Sequence, residues 1–348
     1  MFFGYGQWNI FISFLWERFQ LATYGYLTGR IKKYDMRIVF MGTPDFAVGI
    51  LNALLESRHE VIGVVTAADK PAGRGLQLRQ SAVKERVEPL NIPVLQPEKL
   101  KDPQFLNELN KLKADLFVVV AFRMLPKEVW DMPKRGTINL HASLLPKYRG
   151  AAPINWAIIN GEKETGVTTF FINEVIDTGN ILLQRSVSIG EMTTAGELHD
   201  ELMTIGAQLT VETLDKLEED SLKSIQQDEN IARNAPHAPK IFKETCEINW
   251  DEEFTLIQQK IRGLSPYPAA WCRLTNIEKN SVATFKIFDA ELLSDTHSTI
   301  IARQDALIFP CKNGSVLVRN IQQEGKRKMS VKEWLAGNNP SDWVYSKD

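Results

Sequence analysis

Apolar residues along this chain fall into short solid blocks separated by longer, striped segments, and the two kinds alternate. "MRIVFMG" (36–42), "EVIGVVTA" (60–67), "IPVLQP" (92–97), "DLFVVVAF" (115–122) and "GTINLH" (136–141) are rich in Val and Ile, without in-out alternation. Such runs fit strands covered on both faces, hence a parallel sheet joined by crossover helices. The intervening spacing predicts helices near 43–57, 80–90, 102–113 and 151–160. In the first of these, Thr43 is the expected N-cap and Pro44 the first helical residue. A longer helix is predicted over 193–217. There Thr194 and Glu197 have capping-box spacing, and Leu198, Leu202, Ile205 and Leu209 draw one stripe. The predicted fold class over 36–220 is α/β, a Rossmann-like, doubly wound, mostly parallel sheet.

The pattern dissolves over 218–245, where polar residues and two prolines read as a linker, placed at 221–245. Beyond it, apart from a helix-like 252–264, short strand-like runs and a "KNGS" turn predict a small C-terminal β-barrel, OB-like, over 246–348. Residues 1–35 stand apart. "NIFISFLW" (9–16) is too short to span a bilayer and lacks a signal peptide's basic start and small-residue cleavage site. The expectation is that the fold begins at Met36, and that 1–35 is a start-site artefact or a loosely docked segment outside it.

Composition changes this picture little. The chain has 348 residues, 44% hydrophobic and 24% charged, which suits a soluble protein of two domains. A net charge of −2 excludes a global basic field, so any nucleic-acid recognition would be local. Within the C-terminal module "GKRKM" (325–329) is the one basic cluster, and by charge alone it reads first as a solvated turn. Cys246, Cys272 and Cys311 are widely spaced and form no CxxC pair. That argues against a disulfide framework or a zinc site and for a reducing cytoplasm. The first βα turn, "MGTPDF", lacks the glycines of a dinucleotide fingerprint and weakens a nicotinamide reading.

The chemistry concentrates in "INLHASLLPKYRGAAPIN" (138–155). Residues at i and i+2 of a strand share a face, so Asn139 and His141 project together at a strand's carboxyl end, where open α/β sheets bind ligands. Ser143 follows in a turn fixed by Pro146. A lone His in a sheet corner is more often a satisfied packing residue. Here, however, Asn-x-His replaces the usual Val or Ile, and "EVIDTGNILLQ" sets Asp177 in a tight turn between apolar runs. With no metal ligands and no serine–base pair in view, Asn, His and Asp suit transfer of an activated acyl group to an amine. Asn would donate to the developing oxyanion, His move a proton, and Asp orient the ring and tune its charge.

With "MGTPDFA", "DKPAGRG", "NLHASLLPKYRGAAPINWAI", "ETGVTTFFI", "IDTGNIL" and "SPYPAAW" in order, the chain resembles the folate-dependent formyltransferases from Met36 almost to its end. Within them it is most similar to the members that act on methionyl initiator tRNA. The resemblance implies formyl transfer from 10-formyltetrahydrofolate to the methionyl amino group. It implies catalytic Asn139, His141 and Asp177, folate contacts from Ser143, Leu144, Leu145 and Pro146, and no metal. It also implies a tRNA-facing loop at 66–79 with Arg74 as the contact, a tRNA-binding C-terminal barrel, no membrane association and a monomer in the cytoplasm. Read alone, the arginines of that loop could equally serve solubility. Ala142, Asn180 and His237 depart from the family pattern without touching the catalytic trio. Other acceptors remain open on the site alone: an amino sugar nucleotide is the nearest rival, glycinamide ribonucleotide a more distant one. A non-catalytic folate or RNA binder on the same scaffold is the reading of another class.

Overall fold

The computed structural model describes residues 36–72 and 77–345. The first domain contains strands β1 (Arg37–Gly42), β2 (Glu60–Val65), a small hairpin of β3 (Lys70–Ala72) and β4 (Gln77–Arg79), β5 (Val94–Leu95), β6 (Leu116–Val120), β7 (Thr137–His141), β8 (Glu164–Phe171) and β9 (Ile181–Ser188). Its helices are α1 (Asp45–Glu56), α2 (Ala82–Val87), α3 (Pro103–Lys111), α4 (Lys127–Trp130), α5 (Pro153–Ile159) and α6 (Ala195–Glu218). Apart from the hairpin, the strands form one sheet in the order β5-β2-β1-β6-β7-β8-β9. The first five are parallel, and β8 and β9 continue it antiparallel. The chain leaves β1 in both directions, so the order reverses beside β1 and opens a crevice at the carboxyl ends of β1 and β6.

Both faces are covered, as the solid apolar runs require. Ile38, Phe40, Val118, Ile138 and Leu140 pack with α1 and α6 on one side. Val39, Met41, Phe117 and Val119 pack with Phe105 and Leu109 of α3 and Val129 of α4 on the other. Each such large side chain contributes about 1.5–3 kcal/mol by leaving water. The capping box of α6 is formed: the Thr194 hydroxyl accepts from the Glu197 N–H, and the Glu197 carboxylate accepts from the Thr194 N–H. Leu198, Leu202 and Leu209 of the expected stripe are fully buried, while Ile205 is only half-buried. Gly206 lets that helix touch the strand carrying the site. A Cβ there would lie 2.7 Å from Leu140 Cδ2.

One boundary differs from expectation, and one segment is more structured than its polarity suggests. Helix α1 starts at Asp45, and its cap position is Pro44, with no side-chain cap bond. Pro44 has extended backbone, ψ 176°, and occupies the cap position itself, so Thr43 stands one place too early to cap. The segment 221–245 joins the domains but is no loose tether. It carries α7 (Glu229–Asn234), capped by Asp228, and forms backbone bridges Ile181–Ile225 and Gly150–Ala238. Most of its polar side chains face water, and the attachment runs through backbone pairing and the buried Gln227.

The second domain begins with α8 (Phe254–Leu264) and continues as β10 (Ala270–Asn276), β11 (Ser281–Ile287), β12 (Glu291–Leu293), β13 (Ile301–Arg303), β14 (Ala306–Cys311), β15 (Gly314–Val318), β16 (Asn320–Gln323), β17 (Met329–Ser330), α9 (Val331–Leu335) and β18 (Trp343–Tyr345). The expected barrel is built as two antiparallel sheets, β17-β16-β11-β10-β18 and β12-β15-β14-β13, around one core. Trp250 stacks on Phe309 with centroids 4.3 Å apart, and Phe285 meets Trp334 and Trp343 edge-on. Where β11 passes into β12 and β15 into β16, the Asp289 carboxylate accepts from the N–H groups of Arg319 and Asn320 at 2.6 and 3.3 Å. That pins the two crossings from one sheet to the other.

The domains dock through α5 and α8. Gly263 permits the contact, since a Cβ there would meet Ile159 Cγ1 at 2.6 Å, and its carbonyl accepts from the Asn155 amide at 2.7 Å. The Arg262 guanidinium donates to the Thr193 carbonyl, and the Gly196 N–H donates to the Ser265 carbonyl. The second domain thereby delivers the segment 265–269 to the mouth of the crevice.

Candidate active site

A cleft of about 890 Å³ opens at the carboxyl ends of β1, β6 and β7. Pro44 and Phe46 line it beyond β1, Ala121 to Leu125 beyond β6, and Asn139 to Ala142 at the end of β7. Strand β6 stops there because Ala121 takes a left-handed backbone, φ 47°. Asn139 sits in register between Val119 of β6 and Phe170 of β8, a polar group in an apolar row, and all three line the cleft. Its amide has no hydrogen-bond partner among the described residues and is half-buried, so it is available to a ligand.

His141, two residues on, is 6% exposed. Its Nε2 lies 2.8 Å from the Tyr148 carbonyl oxygen. A carbonyl only accepts, so Nε2 carries the proton and the neutral ring presents Nδ1 as its basic nitrogen. Nδ1 faces Asp177 Oδ2 at 3.8 Å. This is too long for a hydrogen bond and close enough to stabilise a positive ring. The sequence suggested that Asp177 orients the imidazole. Orientation comes instead from the Tyr148 carbonyl, a backbone group, and the carboxylate supplies charge.

Asp177 is itself held. Its backbone is left-handed, φ 55°, which Asp tolerates better than most residues. Its Oδ2 accepts from the Gly150 N–H at 2.9 Å. Tyr148, also left-handed at φ 59°, turns its carbonyl inward, and its buried phenol donates to Glu162. Burial pushes that phenol well above the ordinary tyrosine range, so it stays neutral.

The turn 143–146, to which the resemblance assigns folate contacts, is tied internally at the end of β7. Ser143 and Leu145 are buried, and none of Ser143, Leu144, Leu145 and Pro146 lines the cleft. The Ser143 hydroxyl donates to the Lys147 carbonyl, while the Thr168 hydroxyl donates to the Ser143 carbonyl and accepts from the Leu145 N–H. The turn therefore buttresses the end of β7, because its own polar groups are already engaged. Arg74 lies outside the described residues. Below its loop, Asp69 accepts from Lys84 and Gln96 at 2.5 and 2.7 Å and ties the base of the β3–β4 hairpin to the domain.

Several lining residues had no sequence reading. Phe122, Met124, Val175 and Ile176 offer apolar walls, and Tyr267 of the second domain stands 81% exposed at the rim. Arg123 donates to the carbonyls of Pro97 and Glu98 and lies over the Phe122 ring. The signal for 121–125 was available, since a strand's carboxyl end followed by Phe-Arg-Met is the place and chemistry for ligand contacts. An apolar cleft of this size with a few convergent polar groups fits a folate. Among the described residues no His, Cys, Asp and Glu cluster could hold a metal ion.

Residues 36–214 match the family described as Formyl transferase, and residues 240–339 match its C-terminal domain. The chain belongs to the formyl transferase family. Among its relatives, the methionyl-tRNA formyltransferase of Flavobacterium johnsoniae is 50% identical over 312 residues, 88% of this chain and 98% of that one. That of Bacteroides thetaiotaomicron is 48% identical over 318 residues, 90% of this chain and 98% of that one. Family likeness in the fold reaches further. The sugar 3N-formyltransferase WlaRD superposes with a TM-score of 0.60 at 21% identity, over 85% of this chain and all of its own. HypX of Aquifex aeolicus in complex with tetrahydrofolic acid gives 0.60 at 19% identity, over 90% of this chain and 51% of its own.

Proposed function

We infer that the chain transfers the formyl group of 10-formyltetrahydrofolate to the amino group of methionyl initiator tRNA, giving N-formylmethionyl-tRNA for translation initiation. The observation that carries this reading is near-half identity, across both domains, to relatives named for that acceptor. The cleft geometry supplies the chemistry. The amine nitrogen bonds to the formyl carbon, whose oxygen takes up negative charge, and the Asn139 amide donates to it. His141 receives the ammonium proton at Nδ1, the nitrogen that the Tyr148 carbonyl leaves free. Asp177, 3.8 Å away, stabilises the imidazolium. When the bond from the formyl carbon to the folate nitrogen breaks, the imidazolium returns that proton to the departing nitrogen.

In this reading Phe122, Met124 and Ile176 wall the folate rings, and the barrel with the 66–79 loop, Arg74 included, receives the tRNA. The three cysteines are free thiols, which supports work in the cytoplasm. A formylation assay with one folate donor tests the acceptor. Methionyl initiator tRNA is expected to be formylated, uncharged tRNA not at all, and an amino sugar nucleotide far more slowly. Preference for the sugar would overturn the assignment and leave the transferase chemistry standing.

A further inference from the structure

The connector that looked like a linker contains one buried polar residue whose every hydrogen-bonding group is spent on the active-site loops. Gln227 is 4% exposed. Its amide nitrogen donates to the carbonyls of Asp177 and Gly179, both at 2.9 Å. Its amide oxygen accepts from Arg149 Nε and Nη2 at 3.1 and 2.7 Å. Two donors and two acceptor positions are thus all filled, without recourse to water. The groups it joins are the two segments that build the proton-handling pair. One is the 148–150 loop, whose Tyr148 carbonyl sets the His141 tautomer and whose Gly150 N–H holds the Asp177 carboxylate. The other is the 177–179 turn, in which Asp177 keeps a left-handed backbone.

Neither segment is held by regular secondary structure at these residues. A left-handed non-glycine persists only where its surroundings over-determine it. Backbone pairing of the connector adds support, since Ala151 N–H and Ala152 N–H donate to the Ala238 carbonyl and Tyr148 N–H donates to that of Pro236. Among the described residues, Gln227 is nevertheless the one side chain outside the His141–Asp177 pair that hydrogen-bonds both segments at once. We propose that Gln227 is a positioning residue for formyl transfer: it fixes the distance between Asp177 and His141 by clamping the Asp177 turn to the Arg149 loop. This rests on the catalytic reading of Asn139, His141 and Asp177 above. The clamp acts through Asp177 and touches no reacting atom.

The test measures kcat and both KM values for Gln227→Met, of similar size but without the polar grip. Displacing a catalytic group by an ångström lowers turnover about 10- to 100-fold. The clamp therefore predicts that loss in kcat, with little change in KM for either the folate or the tRNA. Combined with Asp177→Asn, Gln227→Met is expected to be no slower than Asp177→Asn alone, because the two act in series. A purely structural role would instead give additive losses, or a lowered melting temperature with normal kcat at low temperature, and either result would overturn the proposal. If Asp177→Asn itself turns over normally, it is the catalytic assignment that fails. Ile231→Ala, on the exposed side of the same connector, is expected to leave kcat unchanged. An equal loss there would assign the effect to the connector as a whole and remove Gln227's special role. Should Gln227→Met fail to fold, Arg149→Lys keeps the charge, removes the two-nitrogen grip and must give the same kcat-selective loss.

Discussion

Asn139 is the residue at which sequence and geometry agree most closely. An amide between Val119 and Phe170 in a row of apolar side chains has no packing reason to exist, and it faces the cleft without a partner among the described residues. Replacing it with Ala is expected to lower kcat by about 10²- to 10³-fold, or 2.7–4 kcal/mol of transition-state stabilisation, with KM nearly unchanged. Steady-state kinetics with both substrates checks this. Tyr267 makes a different demand, because it is exposed at the rim and belongs to the second domain, the one proposed to receive the tRNA. Tyr267→Ala is expected to raise KM for the tRNA by about tenfold while leaving the folate KM alone, the size of one lost base-stacking contact. What the sequence displayed at this scale was side chains: Asn-x-His at a strand end and an Asp in a D-T-G turn. It could not display the Tyr148 carbonyl or the Gly150 N–H, because backbone groups have no letter of their own. For the same reason the bond from the Ser143 hydroxyl to the Lys147 carbonyl has no sign in the sequence.

Elements whose role is burial were legible, and those whose role is attachment were not. Solid Val and Ile runs marked the parallel strands, and the Thr194 and Glu197 pair marked the start of α6. The 221–245 segment reads as a linker because its residues are polar, and its docking against the 148–152 loop and the β9 strand runs through backbone groups that the residue pattern does not show. The β3–β4 hairpin depends on an equally local tie. The Lys84 and Gln96 hydrogen bonds hold the Asp69 carboxyl below its ordinary value. A lowered carboxyl pKa means that the tie contributes fully above about pH 4 and weakens as pH falls further, when the carboxyl is protonated. Asp69→Asn is expected to mimic that loss at neutral pH. Limited proteolysis should then cleave 70–79 faster, and KM for the tRNA should rise without a change in kcat.

For the molecule as a whole, a net charge of −2 leaves little long-range field for polyanion capture. Binding of the tRNA is therefore expected to show a shallow salt dependence, set by a few phosphate contacts, and a titration of Kd against salt measures it. The core also shelters the thiols. Burial pushes the Cys272 thiol up to about 12 and raises Cys246 and Cys311 as well. Cys272 is fully buried as well as held in the thiol form, so alkylating reagents are expected to modify it only on unfolding. Mass spectrometry before and after denaturant checks that outcome.

The clamp from Gln227 has a consequence in time as well as space. The ribosome finishes Asn139, His141 and Asp177 some fifty residues before it reaches Gln227, and Ala238 follows later still. A nascent chain that ends before Gln227 already contains the Tyr148 and Gly150 groups but lacks the amide that joins the Asp177 turn to the Arg149 loop. On the proposed role of Gln227, full turnover is expected only once synthesis has carried the chain past the first domain's own sheet and through the connector.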